Sequence, residues 1–150
     1  MNDGRQLNSR SDSMPTAELY VVTYTPLAHS MSHWAIYLRI IPTDVDPDDD
    51  GGCQHFIYQA NGPEGNLALN VAEANPRHSR RCREVIMVSS IDDIEEVKTK
   101  LREQPMSNEV ASWSCQDWVM EALETLDDEE LLDSSTYAEA KTRLDELFNE

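Results

Sequence analysis

The chain has 150 residues, with 12 Lys and Arg against 29 Asp and Glu, which gives a formal net charge of −17. This length is enough for one domain with a real core, but a chain so acidic repels phosphate backbones and anionic lipid surfaces. The composition therefore argues against a nucleic-acid or membrane-surface partner. Acidity that serves solubility is the plainer interpretation and a neutral or cationic ligand is the alternative; we expect a small-molecule, peptide or acyl substrate.

The start of the chain predicts a disordered arm, residues 1–16, before a single domain, residues 17–150. The arm is polar and rich in Asn, Ser, Asp and Arg, a composition that buries too little apolar surface to fold. It has no apolar run of the secretory type, and no stretch of the chain reaches the length of a membrane span. The three cysteines form no CxxC pair, so we expect free thiols in a reducing, cytoplasmic setting.

Four segments have the composition of strands, and a fifth is ambiguous. Residues 18–25 (ELYVVTYT), 33–41 (HWAIYLRII), 53–60 (CQHFIYQA) and 82–90 (CREVIMVSS) are rich in β-branched and aromatic residues, as strands are. The second of these is apolar on both faces, which predicts a central strand. The acidic segment PTDVDPDDDGG after it predicts a solvated hairpin loop. Residues 66–81 indicate a short strand or a loop.

The second half of the chain has helical periodicity. Residues 91–103 carry apolar side chains three or four positions apart, which predicts an amphipathic helix with Ser90 as its N-cap. A second periodic run begins at Cys115, and the acidic segment 127–150 predicts one or two further helices. Because the strands precede the helices, we expect an α+β fold in which helices pack on one side of an antiparallel sheet of about four or five strands.

Cys115 stands where a polar segment gives way to a helical pattern, in SWSCQDWVMEALETL (residues 112–126). A packed core cysteine is one interpretation, since free cysteine is among the most buried residue types. At a helix start, however, the unpaired N–H groups lower the pKa of a thiol and can hold a developing oxyanion. A thiolate mechanism also needs a base, for which there are four candidates: His29, His33, His55 and His78.

The pattern favours His33 as the base, because it stands at the mouth of the predicted central strand, where a side chain is well held. A third polar group should orient its ring. The returning strand offers His55 and Gln59, which are four residues apart and therefore on one face, whereas Tyr58 points to the other face. The residue pattern leaves the choice between His55 and Gln59 open.

The combination of SHWAIYL, a hairpin, a second strand with a polar residue and the later SCQDWVMEAL resembles the circularly permuted branch of the papain-like, NlpC-type superfamily. It is most similar to the lecithin:retinol acyltransferase-like group, over residues 33 to about 126. The resemblance implies a permuted papain-like fold with Cys115 as nucleophile, His33 as base, and His55 or Gln59 as the orienting residue. It also implies a cysteine-dependent hydrolase, or acyl or peptidyl transferase, that acts on an amide or ester through a thioester and needs no cofactor.

The sequence departs from that group at the cysteine motif and between the two strands. Ser114 stands where the acyltransferases have Asn, and Asp117 and Trp118 stand where they have His and Phe. These differences argue against phospholipid or retinyl-ester chemistry but not against thiol chemistry. The alternative is a catalytically silent papain-like domain that serves as a protein-interaction module through its acidic C-terminal helices, with Cys115 as a core residue.

Two further clusters, one of Cys and His residues and one of basic residues, are explained more simply without a ligand. Cys53, His55, His78 and Cys82 have short spacings of the kind that zinc sites use, but they match no standard zinc signature, so we expect no metal. The segment PRHSRRC (residues 76–82) is the one basic cluster in the sequence. We expect it to be ordinary solvated surface; pairing with acidic surface, or binding an anionic group of a substrate, are the alternatives.

Overall fold

The computed structural model of the chain describes residues 15–27 and 30–150, and five strands in this part form one antiparallel sheet. In chain order they are β1 (Thr16–Tyr24), β2 (Trp34–Ile41), β3 (Gln54–Asn61), β4 (Ala68–Glu73) and β5 (Cys82–Ile91). Their order across the sheet is β4-β3-β2-β1-β5, and each neighbouring pair is antiparallel. The expected α+β fold with four or five antiparallel strands is confirmed, and the number is five.

Strand β2 is central, as its sequence predicts, and all of its residues are buried. On one face, Trp34 and Ile36 belong to the core that the sheet shares with the helices. On the other face, Arg39 binds Asp50 of the acidic loop, and the guanidinium group of Arg77 lies over the ring of Tyr37. Both faces of β2 are therefore covered, which explains why its sequence is apolar without alternation.

Three helices complete the fold: α1 (Ile94–Glu103), α2 (Cys115–Asp128) and α3 (Ser134–Leu147). Their apolar stripes share one continuous core with a single face of the sheet, as amphipathic helices do. The core residues that α2 contributes are Trp118, Val119, Ala122, Leu123 and Leu126. Within the described residues, no helix combines the length and the apolar composition needed to cross a membrane.

Helix α1 begins later than its periodicity predicts. Ile91 pairs with Ala17 in the sheet, so the first residue of the helical pattern belongs to β5. The N-cap is Asp93, whose carboxylate accepts a hydrogen bond from the N–H of Glu96. The prediction of Ser90 as the N-cap is therefore wrong, because strand pairing extends past it.

The ambiguous segment and the predicted arm have different outcomes. Residues 66–81 contain β4, at one edge of the sheet, and a short 3-10 turn, Pro76–His78. Residues 1–14 of the predicted arm lie outside the described residues, and its last residue, Thr16, is the first residue of β1.

Candidate active site

Cys115 is the first residue of α2, where the sequence predicts a helix to start. The hydroxyl of Ser114 accepts a hydrogen bond from the N–H of Gln116 at 3.2 Å, and the Asp117 carboxylate accepts one from the N–H of Ser114 at 2.8 Å. This capping box satisfies backbone donors at both ends of the first turn. It fixes the direction in which α2 leaves the loop, and with it the position of Cys115.

The Cys115 sulfur is half-buried and lies near the backbone N–H groups of Trp34, Gln116 and Cys115 itself. Burial raises the pKa of this thiol, and the N–H groups offset that effect only in part. The N–H groups at the helix start lower the pKa, as expected, but desolvation is the larger effect, so the net pKa of Cys115 is raised. At neutral pH the resting thiol keeps its proton and needs a base to become a nucleophile.

His33 directly precedes β2, and its ring is oriented by a side chain from β3. The ring Nε2 lies 2.7 Å from Oε1 of Gln59. Because an amide oxygen can only accept, Nε2 carries the hydrogen, which leaves Nδ1 of the neutral ring with a lone pair. Gln59 is itself oriented, since its amide nitrogen donates to Oδ1 of Asn70 on β4 at 2.9 Å.

The surroundings of His33 favour its neutral form. Burial lowers the pKa of this imidazole, the hydrogen bond to Gln59 opposes that effect, and the positive charge of Arg81 lowers the pKa further. A ring that is neutral at pH 7 can accept a proton. His33 therefore has the protonation state and the free nitrogen that a general base needs.

The structure separates the two residues that the sequence left as alternatives. Gln59 contacts His33, whereas Nδ1 of His55 lies 2.6 Å from the hydroxyl of Tyr37 and Nε2 lies 2.8 Å from the carbonyl oxygen of Asp50. His55 thus holds the acidic loop against the sheet. It lies four residues from Gln59 along β3, a distance of about 13 Å, and is not brought together with the base.

Two cavities meet at His33. Cys115 and His33 line one of about 610 Å³, which we call the thiol cavity. Tyr24 and Arg81 lie on the wall of the other, of about 650 Å³, which we call the arginine cavity. His33 and Asn61 line both. Each cavity has the size of a typical small-ligand site, so the imidazole stands between two spaces that could hold the two halves of one substrate.

Gln116 supports this site and was missed at the level of sequence. Its side chain is fully buried; Nε2 donates to the carbonyl of Ser32 at 2.8 Å, and Oε1 accepts from the N–H of Asn149 at 2.7 Å. Because Ser32 precedes His33, Gln116 ties the residue after the nucleophile to the residue before the base. Its position three residues before Val119, on the buried side of the helical pattern, was the signal, since a buried amide needs partners.

The other candidates of the sequence lie apart from the thiol. His78 is exposed on the 3-10 turn and lines the arginine cavity, while His29 lies outside the described residues. Burial raises the pKa of Cys53 and of Cys82. In the part of the chain that the structure covers, no group of three or more His, Cys, Asp or Glu residues is arranged to hold a metal ion.

Residues 19–133 match a family of unknown function, DUF6540, and the chain belongs to that family. The matched range contains His33, Gln59 and Cys115. No curated protein and no solved structure matches the chain. Membership of this family assigns no activity, so the function has to be argued from the geometry of the site.

Proposed function

We propose that this member of the DUF6540 family is a cysteine-dependent hydrolase, or acyl or peptidyl transferase, that acts on an amide or ester through a thioester intermediate. The observation that carries the proposal is the hydrogen bond between His33 and Gln59 at the edge of a cavity that also holds Cys115. Nucleophile, base and orienting group are the three roles that covalent thiol catalysis needs. The resemblance of the sequence motifs to permuted papain-like enzymes gives His33 and Cys115 the same roles.

In the proposed first step, Nδ1 of His33 takes the proton of the Cys115 thiol while the sulfur attacks the carbonyl carbon of the substrate. A C–S bond forms, and the carbonyl π electrons move to oxygen, where backbone N–H groups at the start of α2 stabilise the oxyanion. The imidazolium of His33 then gives its proton to the leaving amine or alkoxide as the C–N or C–O bond breaks. Water or a second acceptor, deprotonated by His33, cleaves the thioester and restores the thiol.

The resting protonation states suit this sequence of steps. Burial raises the pKa of Cys115 and lowers that of His33, so the neutral pair is favoured over a thiolate–imidazolium pair. One proton is then available for transfer, and it moves when the carbonyl carbon accepts the sulfur electrons. The role of Gln59 is to keep Nε2 protonated and the ring in place, which leaves Nδ1 as the nitrogen that accepts the proton.

The direct test is to trap the thioester. After brief incubation with 4-nitrophenyl valerate, we expect nitrophenolate release and a valeryl group on the peptide that contains Cys115, detected by mass spectrometry. Limited labelling with iodoacetamide should modify Cys115 before Cys53, which is buried, and His33→Ala should slow that labelling because the base is lost.

Cys82→Ser is the matched control, since Cys82 is also a half-buried free thiol but lies on β5. It should acylate and label at Cys115 like the wild type. If Cys115 is neither acylated nor labelled in the folded protein, the thiol is a packing residue and the protein is better described as an interaction module.

A second test uses the pH dependence. The base must be unprotonated, so kcat/KM rises with pH through the pKa of His33, and because burial lowers that pKa, activity should persist below about pH 6.5, the ordinary histidine value. Gln59→Glu places a carboxylate beside Nε2, which stabilises the imidazolium and raises the pKa. We expect the acid limb of the profile to move upward by about one pH unit or more.

The control for this shift is His55→Gln, which changes a histidine on the same strand and the same face that does not contact His33. Its acid limb should match that of the wild type. If the acid limb of the pH profile shifts in His55→Gln and does not shift in Gln59→Glu, His55 and not Gln59 is the orienting residue.

A further inference from the structure

The arginine cavity carries positive charge that the proposed mechanism does not use. In a chain with a net charge of −17, residues 76–83 (PRHSRRCR) hold four of the 12 Lys and Arg residues, together with one histidine and no acid. This segment forms the 3-10 turn and leads into β5, beside the cavity. One third of the Lys and Arg residues therefore lies in a segment that borders this cavity, and Arg81 lines the cavity itself.

Two arginines of this segment, Arg81, which lines the cavity, and Arg77, which does not, have uncharged partners. Nη2 of Arg81 donates to the carbonyl oxygen of Thr25 at 2.6 Å, and the guanidinium carbon of Arg77 lies 5.5 Å from the centre of the Tyr20 ring. Among the residues that the structure describes, neither arginine has a carboxylate partner, whereas Arg39 has two. A carbonyl oxygen and an aromatic ring hold a cation but leave its net charge available to a ligand.

Arg81 is positioned by its backbone as well as by its side chain. Its carbonyl oxygen accepts a hydrogen bond from the N–H of Thr25 at 2.6 Å, so both parts of the residue bind the same neighbour. Its charge also acts on the imidazole of His33. The base and the exposed guanidinium of Arg81, which the Thr25 carbonyl holds, therefore line the same cavity.

We infer that the arginine cavity binds the half of the substrate that carries an oxyanion, a carboxylate or a phosphate, with Arg81 as its partner. This inference rests on the proposed function, because it places the scissile carbonyl in the thiol cavity and the rest of the substrate past His33. The wall between His33 and Arg81 includes Tyr24, Ile57 and Pro76. These side chains suit a short apolar chain between the scissile carbonyl and the anionic group.

The charge distribution favours an anionic ligand at this cavity. The acidic chain repels anions over most of its surface, and only a local cluster of cations reverses that field. A guanidinium group binds the two oxygens of a carboxylate or phosphate in one plane, and the exposed imidazole of His78 on the same cavity adds a second donor. A neutral or cationic substrate would gain no charge-assisted hydrogen bond from Arg81.

The kinetic test compares two esters that differ at the far end of the acyl chain, 4-nitrophenyl valerate and the mono-4-nitrophenyl ester of adipate. We expect the wild type to prefer the anionic ester, and Arg81→Gln to lower kcat/KM for that ester by about five- to tenfold, in line with one partly solvated charge-assisted contact. At a pH above the acid limb, where loss of the Arg81 charge does not change the protonation state of His33, kcat/KM for the neutral ester should change by less than about twofold, and added salt should reduce the preference of the wild type for the anionic ester.

The matched control is Arg80→Gln, which removes an equal charge from the same segment at a residue that does not line the cavity. It should keep the preference for the anionic ester. Equal losses on both esters in Arg81→Gln, or the same loss in Arg80→Gln, would overturn the assignment of Arg81.

A binding measurement keeps this inference separate from the proposed activity. Amide NMR spectra of the wild type are recorded during titration with adipate and, separately, with inorganic phosphate. Saturable shifts at residues 25, 33 and 78–81 that vanish in Arg81→Gln and persist in Arg80→Gln support the anion site even if no ester is turned over. Shifts with adipate alone indicate a carboxylate, and shifts with phosphate alone indicate a phosphate. Absence of localised shifts with either anion overturns the site, even where Cys115-dependent turnover shows that the proposed enzyme is real.

Discussion

Replacement of Cys115 with serine is expected to lower kcat/KM for 4-nitrophenyl valerate by about a thousandfold or more while the protein remains folded. A serine hydroxyl gives up its proton far less readily than a thiol, and a neutral imidazole whose pKa is lowered by burial is too weak a base to compensate. The thiol is only half-buried, and the capping box beside it depends on Ser114 and Asp117. The stability of α2 should therefore change little.

The same experiment on His33 gives a sharper test, because a nucleophile and its base act as a unit. His33→Ala should lose about as much activity as Cys115→Ser, and the double variant should be no worse than either single variant, as is usual for groups that act in one step. The measurements are kcat/KM, thermal unfolding and circular dichroism, with Cys82→Ser as the control that keeps full activity. Losses that multiply in the double variant would show that the two residues act independently.

The strands of this protein were predictable where the fold buries part of their side chains, and β4 was not. Strand β2 is covered on both sides, so its sequence is apolar apart from Arg39 and its central position could be predicted. Strand β4 lies at one edge of the sheet, and all six of its residues are exposed or half-buried, so neither periodicity nor apolar content marks it. Local pattern identifies a strand only when the fold buries enough of it.

At the start of α1, two local patterns compete and only the tertiary structure decides between them. Ile91 fits the helical period of the residues after it, and it also continues the apolar run of β5. Ile91 pairs with Ala17 of β1 and so belongs to the sheet. The helix therefore begins only after the N-cap at Asp93. Such a boundary depends on strand register, which a single sequence does not contain.

The candidate site could be predicted in part, for a related reason. Cys115 begins helix α2 and His33 directly precedes strand β2. A change in the residue pattern marks the start of such a helix or strand in the sequence. The choice between His55 and Gln59 depends on how β3 registers with β2: Ile36 pairs with Tyr58, which puts Gln59 diagonally across from the end of β2 and His55 beside the acidic loop. The direction of the Cys115 pKa was also out of reach, because it depends on burial by residues distant in sequence.

The second large effect is expected at Gln116. In Gln116→Leu, a side chain of similar size removes the buried hydrogen bond to the carbonyl of Ser32 and the part-buried one from the N–H of Asn149. The buried unpaired carbonyl costs about 1–3 kcal/mol and the part-buried N–H less, so we expect the free energy of unfolding in urea to fall by about 2–4 kcal/mol. Because Ser32 precedes His33, the base should also lose its fixed position, with a roughly tenfold loss in kcat measured well below the unfolding temperature.

Leu123→Ala is the control that separates the loss of stability from the loss of kcat. Leu123 is fully buried on the same helix, two turns further on, and its truncation should lower stability by about 2–5 kcal/mol through the cavity that it leaves. A leucine side chain makes no hydrogen bond, so its truncation leaves the bond between Gln116 and Ser32 in place, and kcat and the acid limb of the pH profile should stay close to those of the wild type. If both variants lose stability and kcat in the same proportion, Gln116 is only a packing residue. If Gln116→Leu alone loses kcat and alters the acid limb, the buried amide is what holds the base at the thiol.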